Sequence, residues 1–273
     1  EDPLYWGAAQ TFRASGLQLQ GVSTDAQGLN FSQADPLPDA RMVYVTPSHQ
    51  YPTGGVLALD RRHALLQRCR DMKAWILEDD YDSEFRFSGP PVSSMHGLDV
   101  HGRVFYMGTF SKALYPGIKM AYLVVPQPWV HSFKRAHYDL NRPGLIHQQV
   151  AMAEFIELGH FHRTIRSARQ HYAARRQALL QALAPCLNSQ ASISGAEQGL
   201  HLCVHLPPQI DDVALANWAK THGLTVRALS RYAVMRRDLR GLVIGYGYAP
   251  LPAIRKDGPL LASLIMRALG TRT

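Results

Sequence analysis

Three times within its first 112 residues this chain runs from a short apolar, β-prone segment straight into polar or ionisable side chains. Met42-Val43-Tyr44-Val45 leads into Thr46-Pro47-Ser48-His49. Ala74-Trp75-Ile76-Leu77 leads into Glu78, Asp79, Asp80 and Tyr81, and the stretch from Arg103 to Gly108 leads into Thr109-Phe110-Ser111-Lys112. A helix-prone stretch with Asp60 as its N-cap lies between the first two and ends near Met72. Strand, helix, strand alternation of this kind predicts an α/β domain around a largely parallel sheet. Ligands of such sheets gather beyond the carboxyl ends of the strands, which is where these polar clusters fall.

The rest of the chain extends the pattern. Gly7 to Ser15 reads as a helix, Leu17 to Val22 as a strand and Met120 to Val125 as another strand. Helical segments follow at Val130 to Tyr138 and His147 to Leu158, then one long Arg- and Ala-rich helix from Phe161 to Leu183. From Gly199 a smaller α+β region is expected, with strands at 200–206, 224–228 and 241–245. Its helices are expected at 211–222 and from about Pro259 onward. The division is a large domain over 1–150, then a connecting long helix and small C-terminal domain over 151–273.

With 46% hydrophobic and 18% charged residues among 273, a disordered, collagen-like or coiled-coil chain is excluded. Apolar runs such as Ala121 to Val125 are strand-sized, so no membrane association is expected. The opening Glu1-Asp2-Pro3-Leu4-Tyr5-Trp6 has neither a basic nor an apolar signal region and lacks an initiator Met. A piece of a longer protein is expected. The net charge of +8 is concentrated between Arg163 and Arg176, which reads as the solvated face of a helix rather than a phosphate-binding patch. Cys69, Cys186 and Cys203 are widely spaced without a CxxC pair, which fits a reducing cytoplasm. His160 and His162 fall on opposite helical faces, and no metal site is expected. Gly245-Tyr246-Gly247-Tyr248 lacks the GxGxxG pattern of a nucleotide loop.

The residues after the strands suggest a chemistry. Lysine amines form Schiff bases, and Lys112 directly follows a strand and a Thr-Phe-Ser turn. Asp79, next to Trp75-Ile76-Leu77, would be a buried carboxylate in need of a cationic partner. Tyr81 could hydrogen-bond a phenolate oxygen, Thr109 and Ser111 offer hydroxyls to a phosphate, and Lys119 offers a charge. Pyridoxal 5′-phosphate meets these requirements without being the unique solution. A magnesium site at Glu78 to Asp82 is the second choice.

The runs Thr-Pro-Ser-His-Gln-Tyr-Pro-Thr-Gly (46–54), Glu-Asp-Asp-Tyr-Asp-Ser-Glu-Phe-Arg (78–86) and Gly-Thr-Phe-Ser-Lys-Ala-Leu-Tyr-Pro-Gly (108–117) resemble fold-type I aminotransferases. More narrowly they resemble the effector domain of MocR-type regulators of the GntR superfamily. Gly-His-Phe-His-Arg-Thr-Ile-Arg (159–166), Tyr172 to Arg176 and the opening Asp2 to Ala8 are similar to that branch too. The resemblance implies an aldimine of pyridoxal phosphate on Lys112 and a partner for the pyridine nitrogen in Asp79, with Asp80 as the alternative. Tyr81 would hold the ring O3′, Tyr5 would stack on the ring, and Thr109 and Ser111 would sit near the phosphate. It also implies a homodimer, and DNA contact only through a winged-helix domain preceding this one. The effector would be the cofactor itself or an amino compound.

Departures from the family pattern shape the expectation. Tyr51 stands where transaminases carry Asn, so His49 or Gln50 would take over its contact. Lys119 replaces the phosphate-binding Arg and loses bidentate geometry. Leu242-Val243-Ile244 occupies the strand that would carry the substrate-carboxylate Arg, leaving Arg231 and Arg240 as stand-ins. The phosphate-cupping glycine loop and the first strand of the large domain are expected upstream of Glu1. A sensor is therefore preferred to a working aminotransferase, with an inert, cofactor-free scaffold as the third reading.

Overall fold

A computed structural model of the chain describes residues 1–32, 37–90, 92–142, 144–187 and 190–270. The first lobe holds α1 (Trp6–Ala14), a short hairpin of β1 (Thr24–Asp25) and β2 (Gly28–Leu29), then β3 (Met42–Val45), α2 (Leu59–Asp71) and β4 (Trp75–Asp80). It continues with α3 (Met95–Leu98), β5 (Val104–Thr109), α4 (Phe110–Ala113), β6 (Ala121–Val124), α5 (Val130–Asn141) and α6 (Ile146–Glu157). The sheet order is β3-β4-β5-β6. β3, β4 and β5 are parallel, in register at Val43↔Ile76 and Ile76↔Val104, and β6 closes the edge antiparallel with Tyr106↔Val124. Leu65, Leu66 and Cys69 of α2 share one buried cluster with Val43, Val45, Ile76 and Val104 of the strands.

Two buried charges set the loops at the strand ends. Arg62 is fully buried on α2 and donates to three main-chain carbonyls: Leu57 at 2.8 Å, Ser93 at 2.8 Å and Pro47 at 2.6 Å. Glu78 accepts the Met95 and His96 amides at 2.9 Å each and so anchors α3. Both groups meet the rule that a buried charge must be hydrogen-bonded.

The second lobe begins with the long α7 (His160–Leu183), followed by β7 (Ser192–Ser194), β8 (His201–His205), α8 (Asp212–Thr221), β9 (Arg227–Ala228), β10 (Gly241–Gly245) and α9 (Leu251–Ala268). Its sheet is antiparallel in the order β7-β8-β10-β9. Leu202, Val204, Leu242 and Ile244 pack with Leu179 and Leu183 of α7 and Leu261 and Ile265 of α9. Asp211 caps α8 by accepting the Val213 and Ala214 amides, as an N-cap carboxylate should. The chain therefore has the expected α/β class, with a mostly parallel sheet in the first lobe and an α+β second lobe.

Several local expectations are corrected. Leu17 to Val22 forms no strand; only an isolated bridge at Ser23 to Asp2 pairs there, and an unpaired strand leaves its amides without partners. Asp60 lies in the first turn of α2, whose N-cap is Ala58. The β1–β2 hairpin and β7 were not anticipated, and the strand expected at 224–228 shortens to Arg227–Ala228. The last helix starts eight residues earlier than Pro259, at Leu251, where Pro252 suits a helix start. Pro259 lies inside this helix and follows Gly258, which packs so closely on α7 that a Cβ there would meet the Ala182 Cβ at 2.6 Å.

The arginines of α7 are not simply a solvated face. Arg169 donates to the Glu84 carbonyl, Arg175 to the Gly247 carbonyl at 2.5 Å and Arg176 to the Ala196 carbonyl. The lobes are joined further where the 46–55 loop meets 194–201. Ser194 donates to the Thr53 carbonyl, Gln198 to the Ser48 carbonyl, and a Cβ on Gly54 would lie 2.2 Å from the Gly195 Cα. Asp2, buried, accepts the amides of Val234, Met235 and Arg236 at 2.8, 2.8 and 2.9 Å. Among the described residues no helix is long and apolar enough to cross a membrane.

Candidate functional site

The carboxyl ends of β3, β4 and β5 open into a cleft of about 1030 Å³ whose lining includes Tyr5, Tyr44, Asp79, Tyr81, Thr109, Ser111 and Lys112. The strand pleat sorts the acids of β4, because neighbouring side chains point to opposite faces. Asp79 faces the cleft and accepts the Tyr44 hydroxyl at 2.5 Å through Oδ2. Asp80, the alternative in the sequence reading, accepts Tyr106 at 2.7 Å and Ser83 at 2.7 Å and does not line the cleft. Burial is the main cause that pushes the Asp79 carboxyl up to about 6, against the lowering hydrogen bond from Tyr44. No further hydrogen bond of Asp79 is seen among the described residues, so Oδ1 is available to a cationic group in the cleft.

Tyr81 follows β4 directly. Its hydroxyl donates to the His49 carbonyl at 2.8 Å and lies 3.0 Å from His49 Nδ1. Burial, with Asp82 as the next contributor, raises its phenol well above the ordinary value. Lys112 sits on α4, and neither a hydrogen bond nor an ion pair involves its amine among the described residues. Thr109 caps α4 by accepting the Ser111 amide at 3.1 Å, which brings both hydroxyl residues to the cleft beside Lys112. Tyr5 packs edge-on to Tyr51, with ring centroids 5.6 Å apart.

Other expected residues lie elsewhere. His49 does not line the cleft; it is buried behind Tyr81 and faces Asp82. Gln50 is buried and holds the Pro3 and Tyr51 carbonyls at 2.9 and 2.8 Å. Lys119 is exposed, outside the cleft lining, with a left-handed backbone at φ 45°. Arg231 is exposed and also outside the lining, while Arg240 borders a separate depression of about 400 Å³ beside Asp211 and Asp212. Sequence reasoning missed Tyr44, His201 and Arg227 and offered Asp82 only within a magnesium site, yet all four line the cleft. Tyr44 had a usable signal, since it sits in the β3 run that precedes the first polar cluster.

His49, Asp82 and His201 also place ligand-type atoms within 4.8 Å of one another, a grouping the sequence spacing did not suggest. Their polar atoms are largely engaged already: His49 Nδ1 with Asp82 at 3.0 Å, and His201 Nε2 with the Pro52 carbonyl at 3.0 Å. The remaining His49 Nε2 is walled by glycine backbone, since a Cβ on Gly54 would lie 3.2 Å from it. We therefore read a hydrogen-bonded cluster.

Residues 1–242 match the family model for aminotransferase class I and II. The chain belongs to the aminotransferase class I and II family. Within it, the chain is 34% identical to the probable rhizopine catabolism regulatory protein MocR of Rhizobium meliloti, over 90% of this chain and 50% of that protein. It is also 34% identical to the pyridoxine biosynthesis transcriptional regulator PdxR of Corynebacterium glutamicum, over 90% of this chain and 53% of that protein. The chain thus spans about half the length of these curated relatives. A kynurenine aminotransferase from Pyrococcus horikoshii, solved with PMP and its substrates and products, superposes with a TM-score of 0.88 at 26% identity, covering 98% of this chain and 68% of that one.

The aminotransferase family implies pyridoxal phosphate, and the side chains here suit its ring. An unengaged amine from the end of β5 converges with a carboxylate with one free oxygen and a phenol from the end of β4. The phosphate end is thinner, with the Thr109 and Ser111 hydroxyls on the cleft and Lys119 away from it.

Proposed function

We propose that this chain is the cofactor-binding effector domain of a MocR-type transcriptional regulator. The convergence of Lys112, Asp79 and Tyr81 on one cleft carries the reading, together with the likeness to MocR and PdxR. When bound, pyridoxal phosphate supplies an aldehyde for an amine and a ring that accepts electrons. Lys112 would present the amine and Asp79 would keep the ring nitrogen protonated. Tyr81 would donate to the ring hydroxyl oxygen, with Tyr5 against the ring face and Thr109 and Ser111 at the phosphate. An amino compound competing with Lys112 would favour one of two conformations, the differential affinity that regulation needs.

The wider reading is a cytoplasmic homodimer that contacts DNA through a separate winged-helix domain. Val243, Ile244 and Gly245, none of them an arginine, are the residues of β10 on the cleft, which supports a sensor over efficient turnover. The likeness to the kynurenine aminotransferase supports a second reading, a working aminotransferase.

Borohydride reduction of the protein with pyridoxal phosphate, followed by peptide mass spectrometry, tests the site. Cofactor mass on Lys112, absent in Lys112→Ala, is expected; an unmodified Lys112 in the folded protein refutes the reading. Steady keto-acid production from an amino donor would replace the sensor by the enzyme.

A further inference from the structure

His49 is placed with unusual care for a residue outside the cleft. Its side chain is 1% exposed, and its ring is wedged among three glycines. A Cβ on Gly199 would lie 2.0 Å from His49 Cε1, and Cβ atoms on Gly54 and Gly195 would lie 3.2 and 3.4 Å from Nε2. The His201 ring lies tilted against it, with 4.7 Å between centroids.

The hydrogen bonds fix where the proton is. Both Asp82 oxygens lie at 3.0 and 3.1 Å from His49 Nδ1. A carboxylate offers only acceptors, so Nδ1 carries the hydrogen. Nε2 is then a bare lone pair, which agrees with its burial without a partner; an orphaned acceptor is tolerated better than an orphaned N–H. Tyr81 Oη, also 3.0 Å from Nδ1, finds no lone pair there and turns its hydrogen to the His49 carbonyl at 2.8 Å.

We propose that Asp82 and His49 form a positioning pair that denies the Tyr81 hydroxyl an acceptor at Nδ1, so that its hydrogen is shared only between the His49 carbonyl and an anionic ligand oxygen in the cleft. Without the Asp82 carboxylate, His49 can move its proton to Nε2. Nδ1 then becomes an acceptor that captures the Tyr81 hydrogen. The pair contributes to recognition of the cofactor's ring oxygen, although neither residue needs to touch it. This rests on the pyridoxal phosphate reading above. Tyr81 is also faced by Tyr51, Asp79 and Tyr44, and His49 by His201, all unaltered in the comparisons below.

Two measurements separate this inference from the reading it rests on. In cofactor-free protein labelled with ¹⁵N-histidine, the His49 resonances should show Nδ1 protonated, and the Nε2 tautomer should gain population in Asp82→Asn. An Nε2-protonated wild type overturns the pair, whatever becomes of the cofactor. In cofactor-loaded protein, the pH titration of visible absorbance is the second readout. Tyr81→Phe should raise its midpoint by about one pH unit or more, and Asp82→Asn by about half a unit. In the Tyr81→Phe background, Asp82→Asn should add nothing, because a pair acting through Tyr81 is non-additive with its loss. An equal shift in both backgrounds would mean that Asp82 acts through space and overturns the proposal, as would no shift at all. His49→Asn, whose amide can still donate to Asp82, should keep the wild-type midpoint, while His49→Leu should move it as Asp82→Asn does. Wild-type protein lacking cofactor absorbance would count against the cofactor reading alone.

Discussion

The two four-stranded sheets of this molecule are finished to different degrees. In the second lobe the central strands are almost entirely inside: His201 to Val204 on β8 and Gly241 to Ile244 on β10 are buried. In the first lobe the parallel strands are largely covered, yet every residue of the edge strand β6 is exposed and α5 buries none of its residues. Tyr122, Leu123 and Val124 of β6 lie open together with Phe133 and Tyr138 of α5. Large apolar side chains are thus left uncovered on both elements of that flank. The lesson is a separation of tasks: the second lobe holds a self-contained core, while the first holds the chemistry at its strand ends and leaves one flank open.

Substitutions can break or sharpen that contrast. The largest effect is expected at Arg62→Leu, which leaves the buried Leu57 and Pro47 carbonyls and the Ser93 carbonyl without their donor. A loss of about 4 kcal/mol in urea unfolding is expected, with disturbance of the 46–57 loop. A neutral result would show that the first lobe does not depend on this anchor. Leu202→Ala, at a fully buried position in the second lobe, should cost about 3 kcal/mol. If it costs less than an open-flank substitution, the contrast between the lobes is wrong.

Asp79 gives an effect of opposite sign. Its carboxyl stands near 6 against an ordinary 3.8, so folded protein binds this proton more tightly than unfolded protein. The stability tied to that proton is present below 3.8 and lost as pH rises through about 6. Asp79→Asn should therefore stabilise the cofactor-free protein by about 2 kcal/mol at pH 8, with the gain fading towards pH 4. It should weaken pyridoxal phosphate binding at the same time. Thermal melts at both pH values, paired with a cofactor titration, check the trade. The smallest effect is expected at Leu123→Ser on the open strand, within about 0.5 kcal/mol by the same unfolding measurement.

What the sequence made legible follows from distance along the chain. Asp79 and Tyr81 could be singled out because they follow one apolar run closely, and Lys112 because it follows another, so strand periodicity and site chemistry are neighbours in sequence. The partners that tune them come from elsewhere. Tyr44 reaches Asp79 across the sheet, and Asp82 reaches His49 from another strand end. The three carbonyls held by Arg62 are set by loop paths that no local pattern encodes. The α7 arginines misled for a related reason: their spacing describes a basic face, but their guanidinium groups are spent on carbonyls of distant loops. Pro259 misled because proline usually marks a helix start, a place that Pro252 takes here.

The Asp2 clamp has a mechanical consequence. By gripping three successive amides at 234–236, it makes the segment that carries Tyr5 a tie rod between the two lobes rather than a loose flap. The Leu4 amide adds a second hold by donating to the Tyr232 carbonyl at 2.9 Å, and Gln50 holds the Pro3 carbonyl from the first lobe at 2.9 Å. Tyr5, next in the chain, therefore reaches the cleft from a backbone moored to both lobes, so the register between the lobes is built into the wall of the cleft itself.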